Sequence, residues 1–108
     1  MIELLTADTQ NGKKISIMLE EIRFDYKVTK INIFKDEQFK PDFKKLSPFG
    51  KIPVIIDHDN NVSLFESGAI LIYLGEHSGK FYDKDQRTNI NQWLIFVLIL
   101  LMIYTLKN

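Results

Sequence analysis

The chain has 108 residues, 45% of them hydrophobic and 26% charged, with 14 basic side chains balanced by 14 acidic ones. That length fits one domain, the composition excludes a disordered or fibrous chain, and the neutral balance argues against nucleic acid or an anionic membrane surface as partner. There is no cysteine, so disulfides, thiolate metal sites and a cysteine nucleophile are excluded together and any thiol chemistry has to come from a ligand.

Ile2 to Thr6 is a short apolar run that predicts a buried first strand, ending at the polar loop Asp8-Thr9-Gln10-Asn11-Gly12. Ile15, Met18, Leu19 and Ile22 then recur at helical spacing, which predicts an amphipathic helix capped near Asn11. Tyr26 to Ile33 is rich in β-branched and aromatic residues and reads as a second strand, parallel to the first because a helix lies between them. Phe39, Phe43 and Leu46 around Pro41 predict a short helix opened by that proline. Residues 52–57 and 62–65 flank the turn formers His58-Asp59-Asn60-Asn61, which predicts a hairpin. Ser67, followed by Ile70, Leu71, Tyr73 and Leu74, predicts a helix that closes around Gly75 to Gly79. The expected order is βαβ, a short helix, then ββα.

Of the 28 charged side chains only Lys107 lies beyond residue 92. The run from Trp93 to Leu106 holds one polar residue, Thr105, and leaves no solvated face, so it has to be covered. Its 14 residues fall short of the roughly 20 that a spanning helix needs, which favours a helix buried against protein over a membrane span.

Three places could carry chemistry. Pro53 opens an apolar strand; it is either an edge-strand proline or part of a cis Ile52-Pro53 bond that turns the Ile52 backbone toward an extended peptide. Glu66-Ser67-Gly68 opens a helix; it is either a plain cap or a site where helix N–H groups and the Ser67 hydroxyl take a carboxylate while Glu66 takes an ammonium. Thr9-Gln10-Asn11-Gly12 stands at the start of the first helix and is either a capping loop or a place where donors and the helix terminus stabilise a thiolate. Gln38 and Lys51 are either solvated surface or contacts to a second carboxylate. His58 and His77 have no second ligand at helical spacing, so no metal site is expected.

Taken together, Asp8-Thr9-Gln10-Asn11-Gly12, Lys51-Ile52-Pro53-Val54 and Leu64-Phe65-Glu66-Ser67-Gly68-Ala69-Ile70 resemble the thioredoxin-like N-terminal domain of glutathione S-transferases, from residue 1 to about Trp93. Within that superfamily the chain is most similar to bacterial Nu-class, disulfide-reductase-type transferases related to the yeast nitrogen-catabolite regulator, with Gln10 in place of the proline of their Thr-Pro-Asn-Gly loop. The resemblance implies an α/β fold and a cis Pro53. It implies glutathione as co-substrate, with Glu66 and Ser67 at its γ-glutamyl end, Ile52 pairing with its cysteinyl backbone, Gln38 and Lys51 near its glycyl end, and Thr9 and Asn11 facing its sulfur.

It further implies a transferase whose first-choice chemistry is glutathione-dependent disulfide reduction, with attack on an electrophile as the other route. A non-catalytic binding module and an inactive fragment are the remaining readings. Residues 1–82 are expected to form the glutathione-binding domain and 83–108 the start of a truncated helical domain whose remainder is missing. Expected partners are glutathione, a disulfide or electrophilic small molecule, and a second copy of the chain docked through residues 93–106, with no nucleic acid. The start of the chain has no signal-peptide pattern, so a cytoplasmic location is expected.

Overall fold

Alternation along the first strand decides how the layers stack. In the computed structural model, which describes residues 1–107 and the side chains of residues 1–102, strand β1 (Ile2–Thr6) is buried at Ile2, Leu4, Leu5 and Thr6. Because successive side chains point to opposite faces, Ile2 and Leu4 go to one side of the sheet and Leu5 to the other.

Helix α1 (Gln10–Ile22) lays Ile15, Leu19 and Ile22 on the first face, and strand β2 (Tyr26–Lys30) returns parallel to β1 with Leu4 opposite Val28. Helix α2 (Pro41–Leu46), with proline in its first turn, covers the second face and packs Phe43 against Leu5 and Val54. Strands β3 (Val54–Asp57) and β4 (Val62–Phe65) form the expected hairpin, and helix α3 (Ser67–Ser78) adds Ile70 and Leu74 beside α1. The sheet order is β2-β1-β3-β4, with β3 antiparallel to β1. This is the thioredoxin-like βαβ, α, ββα arrangement expected from the sequence.

Two local expectations change. The first helix is capped by Thr9 rather than Asn11: Thr9 is extended, its hydroxyl accepts the Gly12 N–H at 3.1 Å, and Asn11 sits inside the first turn. Thr9 reaches that N–H because it stands three residues before it, the cap spacing that Asn11 lacks. The second strand stops at Lys30 instead of Ile33. Ile31 donates the last bond to Thr6 O, and the Asn32 side chain then accepts the Phe34 N–H at 3.1 Å, starting a 3-10 turn over Ile33–Lys35.

Gly12 lies where α1 presses on β1. A Cβ there would stand 2.2 Å from Thr6 Oγ1 and 2.6 Å from the Ala7 carbonyl. Glycine to alanine inside an open helix stabilises by about 1 kcal/mol. At this site the sign reverses: Gly12→Ala is expected to destabilise by about 1–3 kcal/mol in urea unfolding, because backbone has to move.

At the far end of β3, Asp57 is 5% exposed. It accepts hydrogen bonds from the Tyr73 hydroxyl at 2.6 Å, Asn60 Nδ2 at 2.8 Å and the Asp59 N–H at 3.1 Å. These donors, Tyr73 foremost, hold its carboxyl down at about 2 against an ordinary 3.8. Burial, then the hydrogen bond to Asp57 and that residue's charge, push the Tyr73 hydroxyl up to about 12.

A depressed carboxyl stabilises the fold above its unfolded value, so this contribution, about 2 kcal/mol, is lost as pH falls from roughly 4 toward 2. A raised phenol stabilises below its unfolded value, so its share is lost as pH climbs from roughly 10 toward 12. Tyr73→Phe is expected to lower stability by about 1–2 kcal/mol between about pH 5 and 9, with the gap to wild type closing below about pH 3 in urea titrations.

Helix α4 (Arg87–Lys107) follows a 3-10 turn at Lys84–Gln86 and rests on α3, where Leu98 Cδ1 lies 2.6 Å from the position a Gly68 Cβ would take. Much of its surface is open: Trp93, Ile95, Phe96, Val97, Ile99, Leu100 and Met102 are all exposed. Among the described residues no helix is long and apolar enough to cross a membrane. The expected association segment 93–106 includes residues 103–106, whose side chains lie outside the described ones, as does Asn108 at the end of the expected second unit.

Candidate functional site

The first turn of α1, the segment before β3 and the start of α3 meet at the end of the sheet where β1 finishes and β3 begins. Between them and α4 lies a cleft of about 490 Å³ lined by Asn11, Lys51, Ile52, Glu66 and Ser67, with Ile95, Leu98, Ile99, Leu101 and Met102 as its apolar wall. Five of the eight residues singled out in the sequence therefore share one cavity.

Each is held by a local cause. The buried Ser47 hydroxyl donates to the Lys51 carbonyl at 2.7 Å and accepts the Lys51 N–H at 3.0 Å, fixing the chain just before Ile52. Gly50 makes the preceding turn at φ 65°, a conformation open to glycine, with the Phe39 ring against it. The Ile52-Pro53 bond is cis and Pro53 is buried, while Ile52 stays half-buried with no hydrogen-bond partner for its N–H or C=O among the described residues. Ser47→Ala would leave both Lys51 backbone groups without their partner in a partly buried turn. The expected cost is about 2 kcal/mol in urea unfolding, together with weaker ligand binding at Ile52 by titration calorimetry.

At α3 the first intrahelical bond runs from the Ile70 N–H to Glu66 O at 3.0 Å, so the N–H groups of Ser67, Gly68 and Ala69 lack intrahelical acceptors. They point the positive end of the helix dipole into the cleft. Ser67 is 8% exposed and its hydroxyl has no partner among the described residues. Glu66 stands at φ 74°, ψ 114°, a backbone conformation that costs a non-glycine residue of order 1–3 kcal/mol and presents its carboxylate at the rim. Neither Glu66 nor Lys51 has an ion-pair partner among the described residues, so the cleft carries one negative and one positive side chain, both available to a zwitterion.

Three singled-out residues lie outside the lining. Pro53 is fully buried next to Ile52 in the chain. Thr9 is engaged as the α1 cap, its hydroxyl oxygen turned to Gly12. Gln38, on a 3-10 turn over Glu37–Phe39, donates through Nε2 to the Ile33 carbonyl at 3.4 Å, and its Oε1 is buried without a partner among the described residues.

The α4 wall is what sequence reading missed. The uniform apolarity of residues 93–106 gave no way to tell which side chains would face the cleft. Lys14, whose Nζ donates to Asn11 Oδ1 at 3.0 Å, was also passed over, although its spacing three residues after Asn11 on a helix was available.

Comparison with known proteins places this arrangement. The family model described as glutathione S-transferase, N-terminal domain, matches residues 5–76. The disulfide-bond oxidoreductase YfcG of Escherichia coli K12 is 45% identical over 103 residues, which cover 89% of this chain and 48% of YfcG. The transcriptional regulator URE2 of Saccharomyces cerevisiae is 34% identical over 98 residues, covering 80% of this chain and 27% of URE2.

Among solved structures, a glutathione transferase from Pseudomonas putida with one glutathione disulfide bound per subunit superposes with a TM-score of 0.82 at 44% identity, over 88% of this chain and 44% of that one. A Pseudomonas fluorescens family member with two glutathione bound gives 0.82 at 42%, over the same shares. The chain thus spans less than half the length of these relatives. With the match running from within β1 to within α3 and taking in Asn11, Lys51, Ile52, Glu66 and Ser67 of the cleft, the chain belongs to the glutathione S-transferase N-terminal domain family.

Proposed function

We propose that the cleft binds glutathione and supports thiolate attack on a disulfide. The observation that carries this reading is the convergence of Asn11, Lys51, the unpaired Ile52 backbone, Glu66 and Ser67 in one cavity. Glutathione is an extended peptide with a zwitterionic γ-glutamyl end and a glycyl carboxylate. The α3 terminus and Ser67 suit the γ-glutamyl carboxylate, Glu66 its ammonium, Ile52 the cysteinyl backbone in strand-like pairing, and Lys51 the glycyl carboxylate. Gln38, close behind Gly50, assists at that end, and the Thr9 O–H proton remains free to serve the sulfur beside Asn11.

The α1 terminus and the Asn11 amide favour the ionised thiol. Glutathione thiolate then attacks a sulfur of a glutathione-containing mixed disulfide. One S–S bond forms as the other breaks, glutathione disulfide is produced, and the departing thiolate takes a proton from water. YfcG, named as a disulfide-bond oxidoreductase, and the glutathione disulfide in the Pseudomonas putida structure support this choice over attack on an electrophile.

Residues 1–82 constitute the binding unit in this reading, and a chain without thiols working on reduced glutathione fits a cytoplasmic setting. The exposed apolar side chains of α4 outside the cleft, Trp93, Phe96, Val97 and Leu100, are covered by a second copy, which light scattering reads as a dimer; a monodisperse monomer in detergent-free buffer rejects that part.

The test is calorimetric titration with glutathione and glutathione disulfide, followed by turnover of a mixed disulfide. Saturable binding with turnover supports the enzyme, binding without turnover supports a non-catalytic module, and no binding by folded protein sinks both.

A further inference from the structure

We propose that Lys14 is a positioning residue: its ammonium holds the Asn11 side-chain carbonyl and so turns the Asn11 amide N–H groups toward the sulfur of the bound thiol. This rests on the glutathione reading above and adds a residue that no part of that reading uses.

A lysine ammonium can only donate, so the Asn11 atom 3.0 Å from Lys14 Nζ is the carbonyl oxygen and the other end of the amide carries both hydrogens. That end has no acceptor among the described residues, and Asn11 lines the cleft. Lys14 itself lines an adjoining hollow with Gln10, Lys13, Ile17 and Leu101, and Leu101 borders both cavities. Lys14 therefore stands behind Asn11 and acts through it.

Its setting is otherwise unfavourable for a cation. It follows the α1 N-terminus by little more than a turn, where the helix dipole opposes positive charge, and the first turn of α1 contains no acidic residue. Its neighbour Lys13 is neutralised by Asp8 at 3.2 Å, whereas no carboxylate pairs with Lys14 among the described residues. Burial lowers its proton affinity relative to an ordinary lysine. The charged side chains lining the cleft are Lys51 and Glu66, with none on its α4 wall, while Lys13, paired with Asp8, shares the adjoining hollow with Lys14. A thiolate beside Asn11 would supply the counter-charge that Lys14 lacks, with Asn11 held between them.

The test follows the pKa of protein-bound glutathione by the ultraviolet absorbance of its thiolate, with the affinity for S-methylglutathione, which cannot ionise, as the control. Lys14→Met is expected to raise the bound thiol pKa by about one unit while S-methylglutathione affinity stays within about twofold. Lys14→Arg, which keeps the donor, is expected to restore the wild-type value. In an Asn11→Ala background, Lys14→Met is expected to add no further shift.

An unchanged thiol pKa in Lys14→Met overturns the inference while leaving glutathione binding intact. A full Lys14→Met shift that persists without Asn11 overturns the relay, and loss of S-methylglutathione binding in both Lys14 variants assigns the lysine a purely structural role. Wild-type protein that does not bind glutathione overturns this inference and the proposed function together.

Discussion

Ser67→Ala is expected to lower glutathione affinity by about 10–100-fold, the effect of deleting one charge-assisted hydrogen bond worth about 1.5–3 kcal/mol. The Ser67 hydroxyl has no partner within the described chain, so its removal leaves no internal group orphaned and the urea midpoint should stay at the wild-type value. Glu66→Gln is expected to cost about tenfold in affinity by removing the charge that faces the γ-glutamyl ammonium, and the loss should shrink at high salt because Glu66 is exposed. A dipeptide of cysteine and glycine, which lacks the γ-glutamyl unit, provides the internal control. Both substitutions should leave its weak binding unchanged if Glu66 and Ser67 serve that end of the ligand. Calorimetric titrations in which the variants match wild type for glutathione would remove the zwitterion assignment from the α3 terminus.

Legibility in the sequence followed the physics of each signal. Helical spacing of Ile15, Leu19 and Ile22, the proline-led α2 and the turn run His58 to Asn61 are local patterns, and the corresponding elements appear where those patterns put them. The parallel pairing of β1 and β2 followed from the helix between them. The end of β2 was not legible, because Ile31 and Ile33 have strand propensity that yields to a side-chain cap by Asn32. The cap of α1 was ambiguous for a related reason: Thr9 and Asn11 are both good cap types, and only the distance to the Gly12 N–H separates them.

The site was legible where motif and backbone coincide, at Ile52-Pro53 and at Glu66-Ser67. It was illegible where tertiary packing decides, as on α4, whose even apolarity hides which residues turn inward. Gln38 shows a third case. Its Nε2 reaches the Ile33 carbonyl within the same loop, a contact that no local pattern announces.

Leu4→Ala is expected to be the most destabilising single change, at about 2–5 kcal/mol. Leu4 is fully buried in β1, paired across the sheet with Val28 on one side and Ile55 on the other, and packed in the cluster with Ile15, Leu19, Ile70 and Leu74. A cavity there cannot be filled by collapse, since α1 and α3 are fixed by the same contacts. Domains of this size have about 5–15 kcal/mol in total, so the variant sits near the edge of folding. Ile17→Ala, at a side chain of α1 that is 62% exposed, should change stability by less than about 0.5 kcal/mol and provides the contrast.

The same variant separates core from cleft. Leu4 does not line the ligand cavity, so the folded fraction should bind glutathione with wild-type affinity. Glutathione at about 100 times its dissociation constant would then raise the unfolding free energy of wild type and Leu4→Ala alike, by about 2.7 kcal/mol. A smaller increment in Leu4→Ala would mean that the β1 cavity loosens the loop carrying Thr9 and Asn11, making the sheet core part of the binding machinery. Equal increments would mean that the cleft is assembled by the Ser47 clamp and the α3 terminus independently of how tightly β1 is packed.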